Sequence, residues 1–119
     1  MKITFIEPPN LSGKESFERV FGCNLTIYPF PNIFTLIVAA LLKKEGYIVN
    51  YIDAANMYWK EKKINEFLLK DESSIISIHS TNLSKTNDLV FVDMARKLKK
   101  HTYIVFTGPA PTINPEDFI

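Results

Sequence analysis

Cysteine, glycine and excess charge are all scarce in this chain of 119 residues, and each shortage closes off a class of function. The single cysteine, Cys23, allows no internal disulfide and cannot alone hold zinc or an iron–sulfur cluster, which points to a reducing, cytoplasmic setting. Nothing basic adjoins it closely in sequence, so it reads as an ordinary thiol. The four glycines stand at positions 13, 22, 46 and 108. They form no Gly-x-Gly-x-x-Gly fingerprint, no mononucleotide loop and no Gly-x-Ser-x-Gly elbow, so a local phosphate cradle and an exposed nucleophilic serine are both excluded. Fourteen basic and thirteen acidic side chains leave a formal charge of +1, which gives no electrostatic reason to expect nucleic acid or an anionic membrane as partner. No apolar run approaches the roughly 20 residues of a membrane span, and the N-terminal stretch lacks the pattern of a signal peptide, so neither insertion nor export is expected.

What remains has the composition of an ordinary globular domain, with 46% hydrophobic and 23% charged residues, and residues 1–119 are read as one domain with one core. Four short runs rich in β-branched and aromatic residues, at 3–6, 47–52, 74–78 and 103–106, read as strands. Three of them are almost continuously apolar, as in strands covered on both faces. The second is interrupted by Asn50, which places it nearer an edge.

Between these runs the spacing predicts helices. Ile33, Leu36, Ile37, Ala40 and Leu41 make a core-facing stripe opposite Lys43 and Lys44, with Gly46 in the position of a helix-terminating glycine. Ile64, Phe67 and Leu68 form a weaker stripe, with Trp59 near its start. Val90, Phe91, Met94, Ala95 and Leu98 form a third, running toward a solvated basic end at Arg96, Lys97, Lys99 and Lys100. Alternation of this kind predicts a three-layer, doubly wound parallel α/β sheet of Rossmann-like or flavodoxin-like class. The connection at 8–31 is far longer than such folds usually carry, which marks it as functional or disordered.

In an open parallel sheet the ligand crevice lies at the carboxyl ends of the strands. Those ends carry Glu7-Pro8-Pro9, Asp53-Ala54-Ala55, His79-Ser80-Thr81-Asn82 and Thr107-Gly108-Pro109. Pro8 and Pro9 can simply end a strand. Asp53 can bind a ribose-like hydroxyl or cap the following segment. His79 reads as a rim or core histidine, since no second ligand stands at metal spacing. Ser80, Thr81 and Asn82 offer more donors and acceptors than one helix cap needs, and Gly108 permits a turn or close approach of a ligand to bare backbone. The acidic pair and strand-end aspartate of a phosphorelay receiver are missing, as is a phosphate loop for a flavin.

Pro8-Pro9, Pro31 before "AALLKKEG", "YIVNYIDA", "SIISIHSTN" and "TGPAPTINPED" together resemble the cobalamin-binding domain that precedes the catalytic barrel in B12-dependent radical S-adenosylmethionine enzymes. The strongest part is Gly108-Pro109-Ala110-Pro111-Thr112 with Pro115-Glu116, which looks like that family's Gly-Gly-Pro-His-Pro-Thr stretch followed by Pro-Glu. The chain departs from it at Thr107, at Ala110 and in residues 32–35. It also lacks the Asp-x-His-x-x-Gly motif, so the resemblance implies no histidine on cobalt.

The resemblance implies cobalamin as cofactor, with Ser80, Thr81, Asn82, Gly108 and Pro109 lining the groove for its nucleotide tail. Pro8, Pro9 and the 8–31 loop would lie near the corrin face, and Asp53 at the rim. It further implies a parent methyltransferase or cyclase whose iron–sulfur cluster and S-adenosylmethionine belong to a downstream radical barrel, the domain's partner, so this chain alone is not the catalytic unit. Residues 114–119 would begin a helix leading to a further strand, and a sheet truncated after its fourth strand would expose an edge that favours homo-oligomers. The alternative is a domain of the same ancestry that has lost cobalamin and serves as a docking or structural element, with its groove filled by side chains such as Phe30 or Phe34.

Overall fold

The computed structural model describes residues 1–11 and 31–119. Cys23, Phe30 and most of the 8–31 connection lie outside the described residues. The elements run β1 (Lys2–Glu7), α1 (Ile33–Lys44), β2 (Ile48–Asp53), α2 (Glu61–Lys70), β3 (Ile75–His79), α3 (Lys85–Leu98), β4 (Tyr103–Thr107) and α4 (Pro109–Ile113), followed by a 3-10 turn at Pro115–Phe118. All strand pairs are parallel, in the order β2-β1-β3-β4. This is the doubly wound α/β arrangement, in the flavodoxin-like order through its four strands. Strand β2 is an edge strand, as its interrupted apolar run predicts.

Alternation along the strands divides the core in two. On one face Ile6, Ile76 and Ile78 pack against Ile64 and Leu68 of α2 and Phe91 and Ala95 of α3. Helix α2 presents the stripe expected of it, whereas on α3 Phe91, Met94 and Ala95 face the core and Val90 and Leu98 of the predicted stripe are exposed. Trp59 stacks at a tilt on Phe67, with Lys63 over the Trp59 ring. On the other face, among the described residues, Ile3 and Phe5 meet α1 through Ala39, with Leu42, Val49, Tyr51 and Ile75 at the margin.

Helix α1 corrects one expectation. Its buried residues are Thr35 and Ala39, whereas Ile33, Ile37 and Leu41 of the predicted stripe are more than half exposed. The helix is apolar around most of its circumference, so periodicity alone cannot choose a face. The small side chains of Thr35 and Ala39 let it approach the sheet closely, and the larger ones point away. The chain end differs too. Residues 109–113 form an unforeseen short helix, and Asn114 starts only a 3-10 turn, without a side-chain cap. That turn is held over the α2–α3 side by Phe118 against Phe106, 4.6 Å between ring centres, and by Asp117 on Lys85 at 2.7 Å.

At the amino edge of the sheet a buried polar knot centres on Asp71. Its carboxylate accepts from the Thr4 hydroxyl at 3.0 Å and from Ser73, and Lys99 lies 3.6 Å away. Gly46 ends α1 in a Schellman motif. Its N–H donates to the Lys43 carbonyl, and that of Tyr47 to Leu42, with Gly46 at φ 90°. A Cβ there would meet no neighbour, so only backbone strain opposes a side chain. Gly46→Ala is therefore expected to lower unfolding stability by about 1 kcal/mol in urea denaturation, with an unchanged m-value.

Candidate functional site at the carboxyl edge of the sheet

The strand order reverses direction between β1 and β3, with α1 leaving to one face and α3 to the other. All eight residues singled out in the sequence lie along this carboxyl edge, but they are used differently. Pro8 and Pro9 are fully buried, and the Pro9 carbonyl accepts from Asn87 Nδ2 at 2.9 Å. The Asn87 Oδ1 in turn accepts the Leu11 N–H at 2.7 Å, so one α3 side chain pins the start of the long connection.

Ser80 is buried, and its hydroxyl donates to Asp88 Oδ2 at 2.8 Å. Ser84 donates to the same oxygen at 2.7 Å. The Thr81 hydroxyl accepts the Ser84 N–H at 3.3 Å, and the Thr81 N–H donates to Ser84 Oγ at 3.0 Å. Surplus hydroxyls at this strand end thus build the turn into α3 around a buried carboxylate at the positive end of that helix. Asn82 is the exposed member of the trio.

Asp53 follows the capping alternative, with its two carboxylate oxygens accepting from the backbone N–H of Asn56 at 3.0 Å and from Asn56 Nδ2 at 2.7 Å. It lies beside Glu7 in the β1–β2 register.

Gly108 has φ 99° and ψ −176°, a conformation essentially reserved for glycine. A Cβ there would stand 2.7 Å from the Ser80 carbonyl oxygen and 2.8 Å from the His79 ring. The backbone is stitched at the same place, Ser80 N–H to Thr107 O at 2.8 Å and Ala110 N–H to Ser80 O at 3.2 Å. Pro109 opens α4 at the rim and is exposed. The close approach that Gly108 permits is therefore made by the protein's own β3 loop.

Three further polar residues belong to this edge, of which the sequence places Glu7 at the end of the first strand but singles out neither Asn87 nor Asp88. Glu7 is 1% exposed and accepts from the Thr35 hydroxyl at 3.3 Å under the start of α1, where Asn32 caps the helix by accepting the Thr35 N–H. Asn87 and Asp88 are the others. The signal for Asp88 was present, since it stands three and seven residues before Phe91 and Ala95, a charge on the core stripe of α3.

The last feature is a shelf that the described residues leave exposed. On the α1 face, Ile3 and Phe5 are covered, but the β4 residues of that face, Tyr103 and Val105, are 74% and 42% exposed. Ser77 and Ile75 lie beside them in register. The shelf runs along β4 up to Thr107 and Gly108 at the carboxyl edge.

No family model matches this chain, and neither the curated proteins nor the solved structures contain a match to it. Among the described residues no three His, Cys, Asp or Glu side chains gather as a metal site, and no helix is long and apolar enough to cross a membrane.

Two substitutions test how this edge is built. Gly108→Ala should destabilise the fold by about 2–3 kcal/mol, clearly more than Gly46→Ala, because strain and a backbone clash combine. Asp88→Ala should cost about 3 kcal/mol by leaving two buried hydroxyls without their charged acceptor, and Asp88→Asn should recover part of that loss in the same denaturant titration.

Proposed function

We propose that this chain is a cobalamin-binding accessory domain, built to serve the radical barrel of a B12-dependent S-adenosylmethionine enzyme rather than to catalyse by itself. The observation that carries the reading is the exposed α1-side face of β4, at Tyr103 and Val105, which leads up to Thr107 and Gly108 at the carboxyl edge of the sheet, the edge at which an open α/β sheet binds its ligands. The shelf would suit an elongated, largely flat group, with Tyr103 and Val105 as its floor and the glycine turn at Gly108 as its upper end. Asn82, Thr107, Gly108 and Pro109 would contact the nucleotide tail. Ser80 and Thr81 would shape the loop rather than touch the ligand, their hydroxyls being engaged within the protein. Pro8 and Pro9 would form the wall under the corrin and Asp53 the far rim. Bound cobalamin would supply a cobalt centre able to carry a methyl group or an electron for the parent enzyme.

The same hydroxyl network favours a second reading, a domain of this ancestry that no longer takes cobalamin and docks as a structural module. One experiment separates the two. The purified chain is incubated with hydroxocobalamin, desalted and examined by visible spectroscopy, beside a Val105→Trp variant that fills the shelf at an exposed position. About one cobalamin retained per chain, with a spectrum lacking benzimidazole coordination and loss of retention in the variant, is expected of tail insertion. A chain folded by circular dichroism that retains none sinks the cofactor reading in favour of docking.

A further inference from the structure

On the α2–α3 side of the sheet, Leu11, Glu61, Val90, Asp93, Met94 and Lys97 line a hollow of about 310 Å³, large enough for a small ligand. Val90, Asp93, Met94 and Lys97 stand at i, i+3, i+4 and i+7 of α3, so they share one stripe of that helix, next to the stripe of Phe91 and Ala95 that enters the core. Glu61 comes from the first turn of α2. Leu11 is fixed in place by its N–H, which donates to Asn87 Oδ1 at 2.7 Å. The lining is therefore held by two helices anchored in the core and by a pinned segment after β1. We propose that this hollow is a binding site for a free α-amino acid with an apolar side chain.

The chemistry of the lining selects the class. Leu11, Val90 and Met94 supply an apolar patch for a side chain, and the flexible thioether of Met94 adapts to its shape. Glu61, Asp93 and Lys97 bring both signs of charge to the same hollow, and among the described residues their charged groups form no ion pair or hydrogen bond with one another. Asp93 and Lys97 are one turn apart on α3, about 6 Å along the helix axis. That spacing matches the two ends of an amino-acid head group, with its ammonium toward Asp93 and Glu61 and its carboxylate toward Lys97. A simple amine would leave Lys97 without a counter-charge, and a simple carboxylate would face two acids for one base. The same excess of negative charge turns away phosphates. The site does not rest on the cofactor reading, because the exposed face of β4 lies on the opposite, α1 side of the sheet, and the two share no residue.

Amide NMR titration of the 13.7 kDa chain tests this, with L-leucine as the probe. Two analogues each remove one end of the head group: 4-methylpentanoate lacks the ammonium, and 3-methylbutylamine lacks the carboxylate. L-leucine is expected to shift the signals of Leu11, Val90 and Met94 saturably, with half-saturation at or below about 1 mM. Both analogues should bind about tenfold more weakly, as should leucine to Asp93→Asn or Lys97→Gln, and Val90→Trp should abolish the shifts by filling the hollow. Asp93, Lys97 and Val90 are exposed, so far-UV circular dichroism should report an unchanged fold in all three variants. A folded wild-type chain that shows no saturable shift up to about 20 mM L-leucine overturns the proposal. So do shifts confined to residues away from the hollow, equal binding of either analogue, or binding indifferent to the charge variants.

Discussion

The pairing of β1 with β2 on one side and β3 on the other is the constraint from which the rest of the structure follows. A central parallel strand must bury both of its faces, and this one does so with Ile3 and Phe5 toward α1 and Ile6 toward α2 and α3. Because β1 sits between strands reached by crossovers on opposite faces, its carboxyl end becomes the place where the chain divides. Glu7, Pro8 and Pro9 stand there, buried, and the loop after β3 faces them.

Chemistry at that edge is dominated by the cost of leaving polar groups unpaired in the interior. Asp88 is fully buried, and it is tolerated because Ser80 and Ser84 donate to it at the start of α3. Gly108 completes the arrangement by letting β4's exit press against the Ser80 carbonyl. Together these contacts make a rigid rim whose outward groups are Asn82, Thr107 and Pro109. A ligand meeting this rim would find shape and backbone more than free hydroxyls.

The two faces of the sheet are unequal. The α2–α3 side holds the larger core and also receives the terminal turn through Phe118. The α1 side is covered over β1 and β2 and bare over β4, and α1 itself is apolar on its outer surface. Apolar surface left in water in two adjoining places is the main unspent driving force in the described structure. The cofactor reading assigns the β4 face to a small molecule.

The sequence by itself determined the strands, the alternation, the edge position of β2, the core stripe of α2 and the centre of that of α3, because these depend on local periodicity and on runs of β-branched residues. Gly46 was legible for the same reason, since a helix end needs a residue that tolerates positive φ. The roles of Ser80, Thr81 and Gly108 were not legible. A hydroxyl that caps a helix and one that meets a ligand look alike in sequence, and only the position of Asp88 on the adjoining turn decides between them. Likewise, a glycine that admits a cofactor and one that admits a neighbouring carbonyl are the same residue until β3 and β4 are brought together. The face of α1 was also decided in three dimensions, where close approach to Phe5 and Ile3 selects Ala39 and Thr35 over the larger side chains that periodicity favoured.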